Sequence, residues 1–185
     1  MNSKRILWIT QTAIFIALLV SAQAFTRPLG QFVTGSCVNF VLVTSCILLG
    51  LPSAAVVAVV SPPCAFMIIG IPAFPILIPF MMAGNLTLVT VIYFVSGKSF
   101  DSLSRSSYIR ICTAVVAAAI SKFLVLWVGI VQIALSFISE IKQPQIDAMS
   151  ATFSWPQLVT AFIGSSLAIA VIPTLKKALK STGHS

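Results

Sequence analysis

Where the cations of this chain fall among its long apolar stretches limits what it can fold into more than any other feature. Eight of the eleven Lys and Arg residues occupy three segments: Lys4 and Arg5, then Lys98, Arg105 and Arg110, then Lys176, Lys177 and Lys180. Nearly everything between them is apolar. If the apolar stretches cross a bilayer, an even number of crossings separates each segment from the next, so all three lie on one side. That is the positive-inside pattern of an integral membrane protein. Composition agrees, since 58% of residues are apolar and 8% charged, against about a quarter charged in soluble domains. The net charge of +8 is accounted for by orientation. No basic and aromatic stripe runs along any segment, so a nucleic-acid partner is not expected.

Apolar runs predict helices at 6–25, 36–50, 52–70, 74–96, 108–136 and 155–175. The expected fold is therefore an all-α integral membrane protein, one compact six-helix domain over residues 1–185. With six crossings both termini and the 97–107 loop face the cytoplasm, and only Arg27 and Lys142 fall in outer loops. Lys4-Arg5, the apolar core and Ala22-Gln23-Ala24 resemble a signal peptide. The run from Ile6 to Phe25 is nevertheless long enough to span, and it is taken as the first crossing.

Catalytic chemistry lacks parts. Asp101, Glu140 and Asp147 are the only acids and His184 the only histidine, so paired-carboxylate, Ser/His/Asp and HExxH arrangements cannot be assembled. No enzyme activity and no catalytic residue is expected. Cys37, Cys46, Cys64 and Cys112 lie inside apolar stretches without C-x-x-C spacing. They read as small buried hydrophobes, and no metal site follows.

The third span carries Ser61-Pro62-Pro63, with Gly70, Pro72, Pro75 and Pro79 beyond. Proline removes a backbone donor and clashes with the preceding turn, so the third helix is expected to be interrupted. Such a break either frames a substrate site, as in transporters, or is a simple kink. The connection from Ser139 to Ser154 is polar and reads equally as a lid over an outward cavity or as a plain solvated loop.

Lys122 is the residue least at home in lipid. A lysine at mid-span costs about 2.5–3.5 kcal/mol on insertion scales and marks function by default. No acid lies within any predicted span, so an internal ion pair is hard to assemble, and snorkelling is hard from that depth. Contact with a carboxylate or another acceptor-rich group of a substrate is the functional reading. Asn39, Asn85, Gln23 and Gln31 are the other polar candidates, each alone explicable as interhelical glue. Together with Lys122 they define a pocket open to the outside if they converge, with Trp127, Phe40 and Trp155 available for stacking. Gln132 is a further polar residue of the fifth span. In the first helix Ala13, Ala17, Ser21 and Ala24 place small side chains on one face, which serves either another helix at close approach or ordinary internal packing.

Taken together, the Ala13-Ile14-Phe15-Ile16-Ala17 element, the run Thr34 to Phe40, the proline-rich 61–79 region with Gly84-Asn85 after it, and Phe153-Ser154-Trp155-Pro156-Gln157 resemble the substrate-binding S component of an energy-coupling factor (ECF) vitamin transporter. The resemblance covers nearly the whole chain. It implies a multi-pass protein of the bacterial cell membrane that captures a vitamin-like micronutrient from outside. Such a protein then topples against a transmembrane T component driven by two cytoplasmic ABC ATPases. By carry-over Ala13 and Ala17 dock the T component. The chain has no Walker A sequence and no cofactor of its own, so ATP is used by the partners. Pantothenate suits Lys122 and a queuosine precursor suits the Asn, Gln and Trp residues, whereas haem is disfavoured because no interior His is present. The alternative, from another class, is a stand-alone small-solute channel or secondary transporter. A proton-coupled carrier ordinarily shows intramembrane Asp, Glu or His.

Overall fold

The computed structural model describes residues 3–97, 99, 105–137 and 142–181. Most of the 97–107 loop, Lys98 and Asp101 included, lies outside the described residues, as do Glu140 and His184. Among the described residues there is no strand. The long helices are α1 (Ser3–Thr26), α2 (Gln31–Leu49), α3 (Leu51–Ile69), α4 (Ile78–Ser96), α5 (Arg105–Leu126) and α7 (Trp155–Ser181), with a short α6 (Gln143–Thr152) before the last. Six stretches of the described residues are long and apolar enough to cross a membrane. They make a multi-pass membrane protein.

Large apolar side chains cover the outside of the bundle, with Phe25 and Met67 each 83% exposed, a surface that only lipid or a partner satisfies. α2 is the most enclosed span. It packs against α1, α3, α4 and α7, while α5 bridges α4 and α7. One glycine makes the α2–α3 reversal: Gly50 has φ +84°, caps α2 by donating its N–H to Cys46 O at 3.0 Å, and starts α3 with Pro52 in the first turn. Positive φ carries no Cβ penalty in glycine, and proline at a helix start lacks only an amide that has no partner there.

The α2–α7 pair depends on a second glycine. A Cβ on Gly164 would meet Ser36 O, Asn39 Cβ at 2.7 Å and Phe40 N at 2.8 Å. Only a residue without a side chain lets α7 lie this close to the backbone that carries Asn39. Small residues at such crossings are what membrane helices use in place of a hydrophobic drive.

Three expectations change. α3 runs as a helix through Pro62 and Pro63 as far as Ile69, although the two prolines deprive the carbonyls of Ala58 and Val59 of their ordinary partners. The backbone leaves the helix instead at Gly70, and the irregular stretch to Phe74 precedes a short 3-10 turn at Pro75–Leu77. The polar Ser139–Ser154 connection contains α6, with Pro144 in its first turn, the Lys142 N–H donating to Gln145 Oε1 at 3.4 Å and Gln143 Nε2 to Asp147 Oδ1 at 3.0 Å. Among the cysteines, Cys46 is buried, Cys37 and Cys64 are half-buried and Cys112 is exposed. Burial as a common property of the four fails because Cys112 falls on the outward face of α5, where an apolar thiol is as acceptable to lipid as to a core.

α5 itself ends in a π-helical stretch, Trp127–Ile133, followed by a 3-10 turn, Ala134–Phe137. π turns of this kind re-aim side chains and concentrate at functional sites. The apolar interior divides accordingly. A main core joins α1–α5 and α7 around Leu42, Val57, Leu88 and Ala118. A smaller one gathers Leu77, Leu126, Ile130, Ala134, Leu135 and Phe153 near the irregular end of the bundle.

Candidate functional site

At the seam between the two cores lies a cavity of about 220 Å³. It is lined by residues of α1, α2, α4, α5, α6 and α7 and by the irregular Ile71-Pro72-Ala73 backbone. Non-helical backbone at such a place is tolerated because it borders a polar cavity and is covered by protein. Lys122, on α5 and 3% exposed, reaches this cavity. Its Nζ donates to Asn39 Oδ1 at 2.6 Å and to Asn85 Oδ1 at 2.7 Å. Thus α2, α4 and α5 meet at one ammonium.

The arrangement sets the direction of the amides. An ammonium has three donors and no acceptor, so both asparagines turn their oxygens toward it. Asn39 Nδ2 then points elsewhere and is buried without a partner. Two of the three Lys122 donors are used, and the third has no protein partner among the described residues. Amide oxygens solvate the cation without neutralising it. Asp147, the one acid among the described residues, is exposed and bonded to Gln143. A buried charge in this state favours an incoming group rich in acceptors, above all an anion.

Of the eight residues the sequence suggested for a pocket, the structure brings five together: Lys122, Asn39, Asn85, Gln23 and Gln31. The three aromatic residues do not join them. Phe40 packs against the main core, Trp155 is 60% exposed and lies 5.5 Å from Phe32 by ring centroids, and Trp127 stacks on Phe123 at 6.5 Å. None lines the cavity. The apolar wall comes instead from Leu77, Met81, Leu126, Met149 and Phe153, which as ordinary apolar residues gave no signal in the sequence. Gln157 is also at the cavity, 5% exposed, its Nε2 donating to Thr152 O at 3.2 Å. In the sequence it enters only within the Phe153–Gln157 run and not as a pocket residue.

Ala13, Ala17, Ser21 and Ala24 are all exposed along α1. They line a groove of about 440 Å³ closed on its other flank by Cys64, Ile68 and Ile69 of α3. Internal packing therefore does not use this face. Compared with known proteins, the chain matches no family model, and no curated protein or solved structure is significantly similar to it.

Proposed function

We propose that this chain is the substrate-capturing membrane subunit of an ECF-type importer, taking up a compact anionic or acceptor-rich micronutrient. The observation that carries the reading is Lys122: a buried ammonium held by two amide oxygens, with one donor unspent, at the wall of a partly open cavity. At about 220 Å³ the cavity is below the ~300–1,000 Å³ usual for small-molecule sites, so the solute is small. The cavity lies at the end carrying Arg27 and Lys142, whereas Lys4, Arg5, Lys176 and Lys177 belong to the other. The positive-inside rule supports an outward-facing site with both termini in the cytoplasm. The exposed small-residue face of α1 supports docking to a T component, whose two ATPases supply the energy.

Native mass spectrometry of the purified protein tests the reading directly. The expected result is a retained small anion in the wild type that is lost from Lys122→Met. Co-purification with a transmembrane subunit and two ATPases supports the importer assignment; uptake by this chain alone in proteoliposomes would instead make it a stand-alone transporter.

A further inference from the structure

We infer that Asn85, unlike Asn39, binds the solute directly: its Nδ2 and the unspent N–H of Lys122 stand side by side and take the two oxygens of a carboxylate. The inference rests on the reading of the Lys122 cavity as an anion site, and it narrows the anion to a carboxylate. In their bond to Lys122 the two asparagines are alike. Each gives Oδ1 to Nζ, at 2.6 Å from Asn39 and 2.7 Å from Asn85. Because an ammonium only donates, that bond fixes which end of each amide is the oxygen and turns each Nδ2 away from Nζ.

The two nitrogens then differ. Asn39 is 1% exposed, and its Nδ2 is fully buried without a partner. Unpaired buried atoms occur away from the cavity as well, at Thr44 and Ser61, so this one indicates no ligand. Asn85 is 5% exposed and lines the cavity. Its Nδ2 also makes no hydrogen bond among the described residues, yet it keeps accessible surface. The cavity is the surface it reaches.

Local packing places it there. At Gly84 a Cβ would meet Leu126 Cγ and Cδ2 at 2.8 Å, so α4 lies close against α5 one turn beyond Lys122, and the next residue of α4 is Asn85. An amide nitrogen shares its carbon with the oxygen, so Nδ2 lies one amide width from the atom that Nζ grips. A carboxylate has the same planar shape with an acceptor at both ends. One oxygen on Nζ and the other on Nδ2 satisfies both donors at once. A solute that displaces water from this wall must offer an acceptor to each donor or lose affinity, and a single carbonyl meets only one of them.

The sequence contains three asparagines, Asn2, Asn39 and Asn85, so isotopic labelling of asparagine nitrogen alone gives three side-chain NH2 signals in the full chain. Butyrate is the probe, and butyramide, its neutral counterpart of the same shape, is the control. In NMR titration of the purified protein, butyrate is expected to move the Asn85 signal downfield, as a hydrogen bond to a charged acceptor does, and to move the Asn39 signal less. It should also bind at least about tenfold more tightly than butyramide, the worth of a hydrogen bond to a charged group. The signals are assigned by their loss in Asn2→Ser and Asn39→Ser, or in Asn85→Ser should Asn39→Ser not fold. An Asn39 shift equal to or larger than that of Asn85, or an unmoved Asn85 signal when butyrate binds, overturns the direct role of Asn85 and leaves the anion site standing. Butyramide binding as tightly as butyrate, or binding of neither, overturns the anion site itself and the role of Asn85 with it.

Discussion

α1 borders two concavities of different character. Gln23 lines the cavity that holds Lys122 and its asparagines, while Ala13, Ala17, Ser21 and Ala24 border a groove of roughly 440 Å³ against 220 Å³ for the cavity. The larger hollow contains no charged or carboxamide side chain. In lipid, an apolar groove gains little from being filled, since acyl chains are as apolar as its walls; what it offers is close approach of another backbone. The smaller hollow offers charge and directed hydrogen bonds. The linings, not the volumes, distinguish the two: one holds a buried lysine and carboxamides, the other small and apolar side chains, and the proposed roles of solute site and helix dock follow that difference.

Separating the two sides experimentally is the strongest way to break this comparison. Replacing Ala13 and Ala17 together by Leu fills the groove and bars close approach. Uptake should be abolished in cells, while the isolated protein binds solute with unchanged affinity. Normal uptake by the double variant would show that the groove is merely lipid-facing surface and leave the cavity unaffected.

Lys122→Met attacks the other side. It preserves length and removes the charge that Asn39 and Asn85 solvate. A hydrogen bond to a charged group contributes about 1.5–3 kcal/mol, so affinity for the retained solute should fall about ten- to hundredfold, measured by titration of the detergent-extracted variant. If affinity holds and only thermal stability changes, Lys122 is a structural cross-link of α2, α4 and α5, and the contrast between the two hollows disappears.

A smaller effect is expected from Gly164→Ala, which sharpens the comparison by pressing on Asn39 and the α2 backbone without replacing any residue that lines the cavity. The added Cβ meets the α2 backbone at Ser36 and Phe40 and the side chain of Asn39. Overpacking of this kind costs about 1–3 kcal/mol, to be read as a lowered unfolding temperature accompanied by weaker binding, because Asn39 moves with α2. Unchanged binding in a destabilised protein would mean that Asn39 is positioned from the Lys122 side alone.

What the sequence disclosed follows from the solvent. In hydrocarbon every strongly polar side chain is conspicuous because it is expensive; of those in or beside the spans the structure collects Lys122, Asn39, Asn85, Gln23 and Gln31 at one cavity, while Gln132 is exposed outside it. Their convergence was not legible, since it depends on pairings 83 and 37 residues apart in the chain. The six spans were legible from length and apolarity, but α6 was not, because a short polar helix has no apolar periodicity to announce it. Pro62 and Pro63 misdirected the reading for a different reason. Proline weakens a helix locally, yet neighbouring helices in a membrane can hold it together, and the backbone departed only at Gly70. Phe40, Trp127 and Trp155 do not line this cavity; Trp in membrane proteins also gathers at the lipid interface.

The smallest expected effect concerns those aromatic residues. Trp155 lies against Phe32 on the surface and Trp127 against Phe123, both outside the cavity lining. Trp155→Ala and Trp127→Ala should therefore leave solute affinity within about twofold of wild type. Trp127 begins the π-helical stretch that follows Leu126, itself part of the cavity wall, so of the two it has the shorter path to the site. A loss of tenfold or so in Trp127→Ala alone would mean that the π segment sets the position of Leu126, and through it the shape of that wall. The same loss in Trp155→Ala would mean that the solute extends beyond the cavity along the start of α7, and the small-solute reading would fall.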